Sequence, residues 1–305
     1  MDADDITRPG GFILGANYWA SHAGTRMWTD WRPDIVEDDL RRLSEAGLQM
    51  LRVFPLWPVF QPIQRLYGGG GAPVEVRFGE EPLPDDDCGQ AGMSAEAMDR
   101  FRQFCDLAEK HGLKLNIGLL TGWMSGRLHV PPALEGRNVL TDPWAIRWEL
   151  RFVRHFVRAF RDHPAVAAWD LGNECNCMGA TDHDGAYLWA ATIVNAIRAE
   201  DATHPVVSGM HGLGPESTWN VFDQAEHCDV LTTHPYPIFT PHCDQDPIHT
   251  IRNGLHATAE TRLYSDIGGV AGLAEELGTL GPFVCSEDVA ASYVRMVLYS
   301  LWAHD

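Results

Sequence analysis

Short apolar runs alternate regularly along this chain with longer segments that have helical periodicity, and this alternation leaves few folds open. Each run is bounded by glycine, proline or polar residues, which is typical of a strand buried on both faces. The segments between the runs place apolar residues three and four positions apart, which is typical of amphipathic helices. The predicted strands are 12–19, 48–54, 114–120, a run ending at 174, 205–210, 229–234 and 282–287. This alternation predicts an α/β fold with a parallel sheet.

Eight strand–helix units would close a TIM-type (β/α)8 barrel, and 305 residues suit one such domain. Only seven strands are predicted, and the chain reaches residue 305 where the eighth would begin. We therefore predict one TIM-type barrel over residues 1–305, C-terminally incomplete, with the eighth strand missing. The segment 68–93 is rich in Gly, Pro and Asp and is predicted to be a long loop inserted after the second strand.

The charge of the chain narrows the classes of partner. The formal net charge of −19 argues against nucleic acid or an anionic membrane surface, because both require a basic face. No apolar run reaches the length of a membrane span. No glycine-rich phosphate fingerprint follows the first strand, so a dinucleotide-binding fold is not indicated. A neutral ligand is the partner class that remains, and the oligomeric state is left open.

The cysteines indicate the cellular compartment of the protein, and the tryptophans indicate the kind of ligand that it binds. The seven cysteines show no disulfide framework, and no signal peptide follows Met1, so we expect a cytoplasmic protein unless the N-terminus is processed or truncated. The eleven tryptophans are a high count, and flat aromatic rings serve as stacking platforms for sugars. The competing interpretation is that most of them fill the core.

Polar residues end two of the predicted strands. Asn173 and Glu174 close the fourth strand, and Glu287 closes the seventh. The carboxyl ends of parallel strands form the edge at which α/β folds place their active sites. The alternatives are a solvated loop for Glu174 and a position near a helix N-terminus for Glu287. Asp288 is a competitor of Glu287, although its side chain should point off the barrel axis.

The run Trp169-Asp170-Leu171-Gly172-Asn173-Glu174 resembles the fourth-strand motif of the clan A retaining glycoside hydrolases, especially glycoside hydrolase family 5. The resemblance implies a (β/α)8 barrel that cleaves a β-linked sugar in an oligo- or polysaccharide by double displacement. It implies that Glu174 is the general acid/base and Glu287 the nucleophile. Such a pair needs carboxyl groups about 5–5.5 Å apart. No cofactor and no metal are expected.

The same resemblance implies roles for other residues near strand ends. Asn173 is expected to bind the sugar 2-hydroxyl, and Arg52 to lie beside the nucleophile. His234 and Tyr236 are expected to contact the nucleophile and the sugar. The remaining substrate-binding candidates are the tryptophans that follow the first three strands: Trp19, Trp57 and Trp123. The alternatives are an ion pair at the barrel bottom for Arg52, a structural role for His234 and simple packing for the tryptophans.

Three other hypotheses compete with this one. A metal site could draw on several scattered side chains, but their spacing is unlike that of a structural zinc site. The candidate ligands are Cys175, Cys177, His183, His211, His242 and Cys243. A nucleophilic Cys175 would need a base that nothing local supplies. A catalytically inactive, carbohydrate-binding barrel is the third. The presence of both glutamates argues against it, whereas the missing eighth strand favours it.

The substrate is predicted from three short motifs. Asn17-Tyr18-Trp19, the run 52–57 and Phe60-Gln61-Pro62 resemble family 5 members that act on β-mannosides and β-mannans. β-Glucans and β-galactosides stay open, as does exo versus endo action, although the segment 68–93 could close one end of a cleft. The aromatic residue that the eighth strand commonly supplies cannot be assigned.

Overall fold

The computed structural model describes residues 6–8, 10–237, 247–279, 281 and 284–304. Its strands are β1 Gly15–Tyr18, β2 Met50–Val53, β3 Gln64–Tyr67, β4 Pro73–Phe78, β5 Glu81–Pro82, β6 Lys114–Gly118, β7 Trp123–Met124, β8 Arg127–Leu128, β9 Val166–Asp170, β10 Val206–Val207, β11 Val230–Thr233 and β12 Ala271–Ala274. Its α-helices are α1 Pro33–Glu45, α2 Trp57–Phe60, α3 Asp87–Gln90, α4 Ala95–Lys110, α5 Pro143–Phe160, α6 His183–Glu200, α7 Val221–His227, α8 Ile251–Gly268 and α9 Glu287–His304.

Seven of these strands form one parallel sheet in the order β1-β2-β6-β9-β10-β11-β12. Because spatial order follows chain order and helices lie between successive strands, the sheet curls as a TIM-type barrel does. Within the described residues, no strand pairs with the outer edge of β1 or of β12, so the barrel lacks its eighth strand there. The predicted fold class is confirmed. None of the described helices has the length and apolar character needed to cross a membrane.

Capping residues that can be recognised in the sequence mark the start of the longer helices. Asp142 caps α5 by accepting hydrogen bonds from the backbone N–H groups of Trp144 and Ala145, and Pro143 occupies its first turn. Ser94 caps α4 in the same way. Both helices bury an aromatic stripe against the sheet, where Phe101 and Phe156 lie 4.8 Å apart between ring centroids. Each fully buried ring stabilises the fold by about 1.5–3 kcal/mol.

The seventh strand of the sheet is not the one predicted from the sequence. The prediction placed it at 282–287 and a helix at 263–277. Instead, α8 ends at Gly268, and Gly269 closes it with a left-handed backbone (φ 71°). The chain then enters β12, which pairs with β11. Pro282 and Phe283 lie outside the described residues. The assignment is wrong because glycines that looked like weak points in one helix separate a helix from a strand.

The segment 68–93 carries secondary structure of its own. The strands β3, β4 and β5 pair in an antiparallel sheet separate from the barrel sheet, and α3 follows them. The turn between β3 and β4 contains Gly71, whose φ of 78° suits glycine. Part of the predicted loop is therefore a small folded insertion after β2.

Candidate active site

Arg52, at the carboxyl end of β2, is the hub of a buried polar cluster. Its Nε donates to Oδ2 of Asp170 at 2.7 Å and lies 3.2 Å from Oε1 of Glu275. Its Nη1 donates to Oε1 of Glu276 at 2.8 Å and to Oδ1 of Asn173 at 3.1 Å. Burial would lower the pKa of Arg52, but the surrounding carboxylates raise it, so the guanidinium stays charged. One fixed cation thus ties together the ends of three strands, β2, β9 and β12.

Glu174 reaches the cluster from a tight turn after β9, which ends at Asp170 rather than at Glu174. The turn approaches its neighbours closely, since a Cβ on Gly172 would lie 2.2 Å from the carbonyl oxygen of Leu120. Glu174 itself has a left-handed backbone (φ 48°, ψ 49°), which costs a non-glycine residue about 1–3 kcal/mol. Its N–H donates to the carbonyl of Gly209 at 2.8 Å, and this bond holds the strained residue in place.

Two imidazoles face one oxygen of the Glu174 carboxylate. Nδ1 of His234 lies 2.9 Å from Oε1, and Nδ1 of His211 lies 3.1 Å from it. Burial disfavours the charged carboxylate, but the two histidines outweigh it and hold the pKa of Glu174 well below its usual range. Among the residues that the structure describes, no hydrogen bond reaches Oε2 of Glu174. That oxygen is the free one, on a side chain that is 16% exposed.

Two glutamates follow β12 and differ in their surroundings. Glu275 is 2% exposed and accepts hydrogen bonds from Asn116 at 2.8 Å and, through its other oxygen, from His234 at 3.2 Å. Burial opposes its ionisation, but Arg52 and His234 lower its pKa. Glu276 is 11% exposed and accepts from Arg52 and, at 2.9 Å, from the Tyr236 hydroxyl. Glu276 is therefore the more accessible of the two.

His234, at the end of β11, links the carboxylates on the two sides of the site. Its Nδ1 lies 2.9 Å from Glu174 and 3.7 Å from Oε1 of Glu276. The two glutamate oxygens can be no farther apart than the sum of these distances. That limit admits the spacing of about 5–5.5 Å used in retaining hydrolysis and lies below almost all of the inverting range of about 6.5–9.5 Å. Burial alone would lower the pKa of His234, but Glu276, Glu174 and Glu275 raise it to about 9.

The cluster brings together most of the residues singled out from the sequence. Arg52, Asn173, Glu174, His234 and Tyr236 all belong to it. Glu287 does not, because it is the exposed first residue of α9 rather than the end of a strand. Its position near a helix N-terminus matches the competing interpretation, and Asp288 lies in the same helical turn.

The three tryptophans predicted to contact the sugar differ in their exposure. Trp57 is fully buried in α2, and its indole N–H donates to Gln61 at 2.8 Å, so its faces are covered by core residues and a sugar cannot stack on it. Trp19 is partly exposed and stacks on Phe54 with centroids 5.4 Å apart. Trp123 is also partly exposed, and its carbonyl accepts from Asn173 at 2.9 Å. Trp19 and Trp123 stay candidates for sugar contact.

Sequence reasoning missed Glu275 and Glu276, and it considered His211 only as a candidate metal ligand. One signal pointed to Glu276, because Glu276-Leu277-Gly278 keeps the glycine that commonly follows the family 5 nucleophile, with leucine in place of an aromatic residue. His211 carried no comparable signal, since it is a lone histidine in a loop. Only the folded chain brings it to Glu174.

Among the residues that the structure describes, two groups of side chains could be considered for a metal ion. The ligand atoms of Glu174, His211 and His234 lie within 4.8 Å of one another, as do those of the more exposed Asp106, Glu109 and His163. In the first group both histidines are at ion-pair distance from the carboxylate itself, which accounts for the cluster without a metal. Of the earlier metal candidates, His183 pairs with Asp223 instead, at 2.8 Å, and His242 and Cys243 lie outside the described residues.

Cys175 does not suit a nucleophile. Its thiol is fully buried, and burial raises its pKa well above the usual value, so the thiolate is strongly disfavoured. Its sulfur lies 3.7 Å from the carbonyl oxygen of Leu120, which it contacts as a weak donor.

Comparison with known proteins supports the same family. No family model matches the chain. Mannan endo-1,4-beta-mannosidase F of Aspergillus clavatus is 28% identical over 206 residues, which cover 63% of this chain and 43% of that protein. The chain thus spans about two fifths of the length of the curated relatives that it matches.

Solved structures share the fold. The exo-beta-1,4-mannosidase Op5Man5 from Opitutaceae bacterium strain TAV5 is 22% identical with a TM-score of 0.74, over 98% of this chain and 51% of that one. A GH5_18 protein from Streptomyces cattleya in complex with Manβ1-4GlcNAc is 20% identical with a TM-score of 0.78, over 95% of this chain and 67% of that one. These similarities agree with the resemblance to glycoside hydrolase family 5, and the solved structures show that the chain shares their fold.

Proposed function

We propose that this chain is the catalytic barrel of a retaining β-glycosidase that acts on β-mannosides, with Glu174 as acid/base and Glu276 as nucleophile. The observation that carries the proposal is the pair of carboxylates gathered at one nitrogen, Nδ1 of His234, which lies 2.9 Å from Glu174 and 3.7 Å from Glu276, an arrangement that admits the spacing used in retention. The names of the relatives and of the structural neighbours, which are mannan endo-1,4-beta-mannosidases and an exo-beta-1,4-mannosidase, support a β-mannoside as the substrate.

Glu276 suits the nucleophile better than Glu275 does. A nucleophile must be ionised and must reach the anomeric carbon. Arg52 and the Tyr236 hydroxyl both donate to Glu276 and orient its carboxyl group, while its side chain keeps some exposure. Glu275 is almost completely enclosed by Asn116, His234 and Arg52, so its oxygens serve the internal network. We assign Glu275 to holding His234 and Arg52 in place.

In the first step, a Glu276 oxygen attacks the anomeric carbon while the glycosidic C–O bond breaks. The proton on Oε2 of Glu174 passes to the leaving oxygen, which departs as an alcohol. In the second step, Glu174 takes a proton from water, the hydroxide oxygen bonds to the anomeric carbon, and the bond to Glu276 breaks. Two inversions retain the configuration.

The resting site favours the ionised form of Glu174, whereas the first step needs its protonated form. A sugar bound over Oε2 removes water from the carboxyl group, and desolvation favours the neutral acid. The Asn173 amide donates one proton to the Trp123 carbonyl and holds Arg52 with its oxygen. We assign its second amide proton to the sugar 2-hydroxyl, a contact that strengthens in the transition state.

The test compares glutamates that differ in their position relative to the site. We expect wild-type protein to hydrolyse an aryl β-mannoside, and Glu276→Gly and Glu174→Gln to lose that activity by about 100-fold or more. The matched control is Glu287→Gly, which should retain wild-type turnover because Glu287 is exposed on α9. Glu276→Gly should also transfer an α-mannosyl fluoride to an acceptor, since the fluoride mimics the covalent intermediate.

Other outcomes of this test are equally informative. Loss of activity in Glu287→Gly with retention in Glu276→Gly would overturn the assignment of the nucleophile. Faster turnover of an aryl β-glucoside or β-galactoside would overturn the choice of sugar. Calorimetric binding of mannosides by a folded protein that hydrolyses none of the glycosides would favour the carbohydrate-binding alternative.

A further inference from the structure

The loop that follows β10 is held firmly beside Glu174. The side chain of Asn176 clamps the backbone of His211, because its oxygen accepts from the His211 N–H at 3.0 Å and its amide donates to the His211 carbonyl. The Tyr264 hydroxyl accepts from the N–H of Leu213 at 2.6 Å and donates to its carbonyl. Contacts from two other parts of the chain thus fix a loop that has almost no strand structure of its own.

This fixed loop places His211 beside Oε1 of the Glu174 carboxylate, the oxygen that His234 also contacts. Nδ1 of His211 lies 3.1 Å from Oε1, but in the resting site it is not aligned for a hydrogen bond. The His211 side chain is 25% exposed, whereas that of His234 is fully buried. Hydrogen bonds in unliganded active sites are often misaligned and tighten only when substrate is bound. His211 is therefore the adjustable partner of Glu174, and His234 the rigid one.

The charges around His211 come from three elements. Glu174 faces it from the turn after β9, and His234 faces it from β11, with ring centroids 6.1 Å apart. Glu260 on α8 also interacts electrostatically with His211. Burial raises the pKa of Glu260, and the interaction with His211 opposes that rise. The carboxyl group can rotate about a single hydrogen bond, but once His211 also aligns with Oε1 in the substrate complex, the two imidazoles together restrict that rotation. They direct Oε2 to the remaining open side, where the glycosidic oxygen would lie.

We propose that His211 is a positioning residue for acid catalysis, which holds Oε1 of Glu174 so that Oε2 faces the leaving oxygen and which stabilises the carboxylate as its proton departs. The inference rests on the proposed function, because it assigns Glu174 the role of acid. It adds a residue from the loop after β10 to a site otherwise built from the ends of β2, β9, β11 and β12.

Two amide substitutions test the geometry of this contact. His211→Asn places an N–H donor near the position of Nδ1, whereas His211→Gln places it near that of Nε2. On an aryl β-mannoside with a poor leaving group, we expect kcat/KM to fall about tenfold or more in His211→Gln and less in His211→Asn. On a dinitrophenyl β-mannoside, which needs little acid assistance, both variants should stay close to wild type. His227→Asn, at the end of α7 and the opposite edge of the sheet, is the matched control.

The second readout is the titration of Glu174 itself. Both amide variants remove the imidazole that lies 3.1 Å from Oε1 of Glu174, so the pKa of Glu174 should rise. The carboxyl signal of Glu174 can be followed by 13C NMR in glutamate-labelled protein, with assignment by Glu174→Gln. This readout does not require turnover.

The two proposals can fail separately. An equal loss on both substrates, or an unchanged Glu174 titration in an active enzyme, would overturn the role of His211 and leave the glycosidase intact. A folded wild-type protein without turnover of any glycoside would overturn the proposed function, whatever the titration shows.

Discussion

At the scale of single residues, the site is a balance of buried charges around Arg52 and His234. Arg52 contacts the carboxylates of Asp170, Glu275 and Glu276, and His234 contacts those of Glu174 and Glu275. Burying an unpaired charge is costly, so each cation is stable only because the carboxylates surround it, and each carboxylate only because of the cations. The same mutual dependence ties the stability of the fold to pH.

His234 makes this dependence measurable. Its pKa is raised from 6.5 to about 9 by Glu276, Glu174 and Glu275, against the effect of burial. Its charged form therefore stabilises the folded state fully below about pH 6.5, and this contribution is lost as the pH rises through about 9. We expect the difference in free energy of unfolding between wild type and His234→Gln to shrink by up to about 3 kcal/mol from pH 6 to pH 10.

Urea unfolding at a series of pH values measures this difference, and comparing the two proteins cancels the titration of the other groups. His227→Gln, the same substitution outside the site, should follow wild type across the range. A difference that stays constant from pH 6 to pH 10 would show that folding leaves the pKa of His234 unchanged.

At the scale of elements, the site depends on tight turns at the ends of strands. Gly209 follows β10 with a left-handed backbone, and a Cβ there would lie 1.9 Å from Oδ1 of Asp170 and 2.2 Å from the carbonyl oxygen of Gly172. The same residue receives the N–H of Glu174 on its carbonyl. Gly212 has a similar φ of 52°, but a Cβ there would meet nothing within 4 Å. The two glycines have similar φ angles, but only at Gly209 do neighbouring atoms occupy the space that a Cβ would need.

Alanine substitutions at Gly209 and Gly212 separate the cost of a left-handed backbone from the cost of steric overlap. Gly212→Ala should lower the free energy of unfolding by about 1–2 kcal/mol, which is the cost of a left-handed alanine. Gly209→Ala carries that cost and an overpacking term, so we expect a loss of about 2–5 kcal/mol and impaired turnover through displacement of Glu174. Chemical denaturation measures both, and equal losses would contradict the close approach at Gly209.

At the scale of the whole molecule, the open edges of the sheet and the net charge act against each other. Among the residues described, β1 has no partner on its outer edge, and most of its residues are exposed. Unpaired strand edges promote association between chains, whereas a charge of −19 opposes it. Charge repulsion is screened by salt, with a Debye length of about 8 Å at 0.15 M.

We therefore expect association of this chain to increase with salt. Light scattering or sedimentation at equal protein concentration should show larger species at 0.5 M than at 0.05 M sodium chloride. Ala16→Lys, which places a charge on the exposed edge of β1, should reduce that increase, because lysines on edge strands oppose pairing. Identical behaviour at both salt concentrations would show that the edges of β1 and β12 are not available to other chains.

The sequence by itself determined the parallel barrel sheet and half of the candidate catalytic pair. Glu174 could be predicted because a contiguous motif carries it, at the end of an apolar run that is unambiguous as a strand. Arg52, Asn173, His234 and Tyr236 were expected in the site because of the resemblance to family 5, and each lies within or just beyond a strand that the local pattern defines.

Only the tertiary structure decided where the second carboxylate lies. The run Ala271–Ala274 has no β-branched residue, and its strand conformation comes from pairing with β11 rather than from its own preference. Trp57 likewise follows a strand but turns into the core, and His211 reaches Glu174 only because Asn176 and Tyr264 hold its loop. Contacts between residues distant in the chain leave no periodic trace in a single sequence, so these placements required the folded chain.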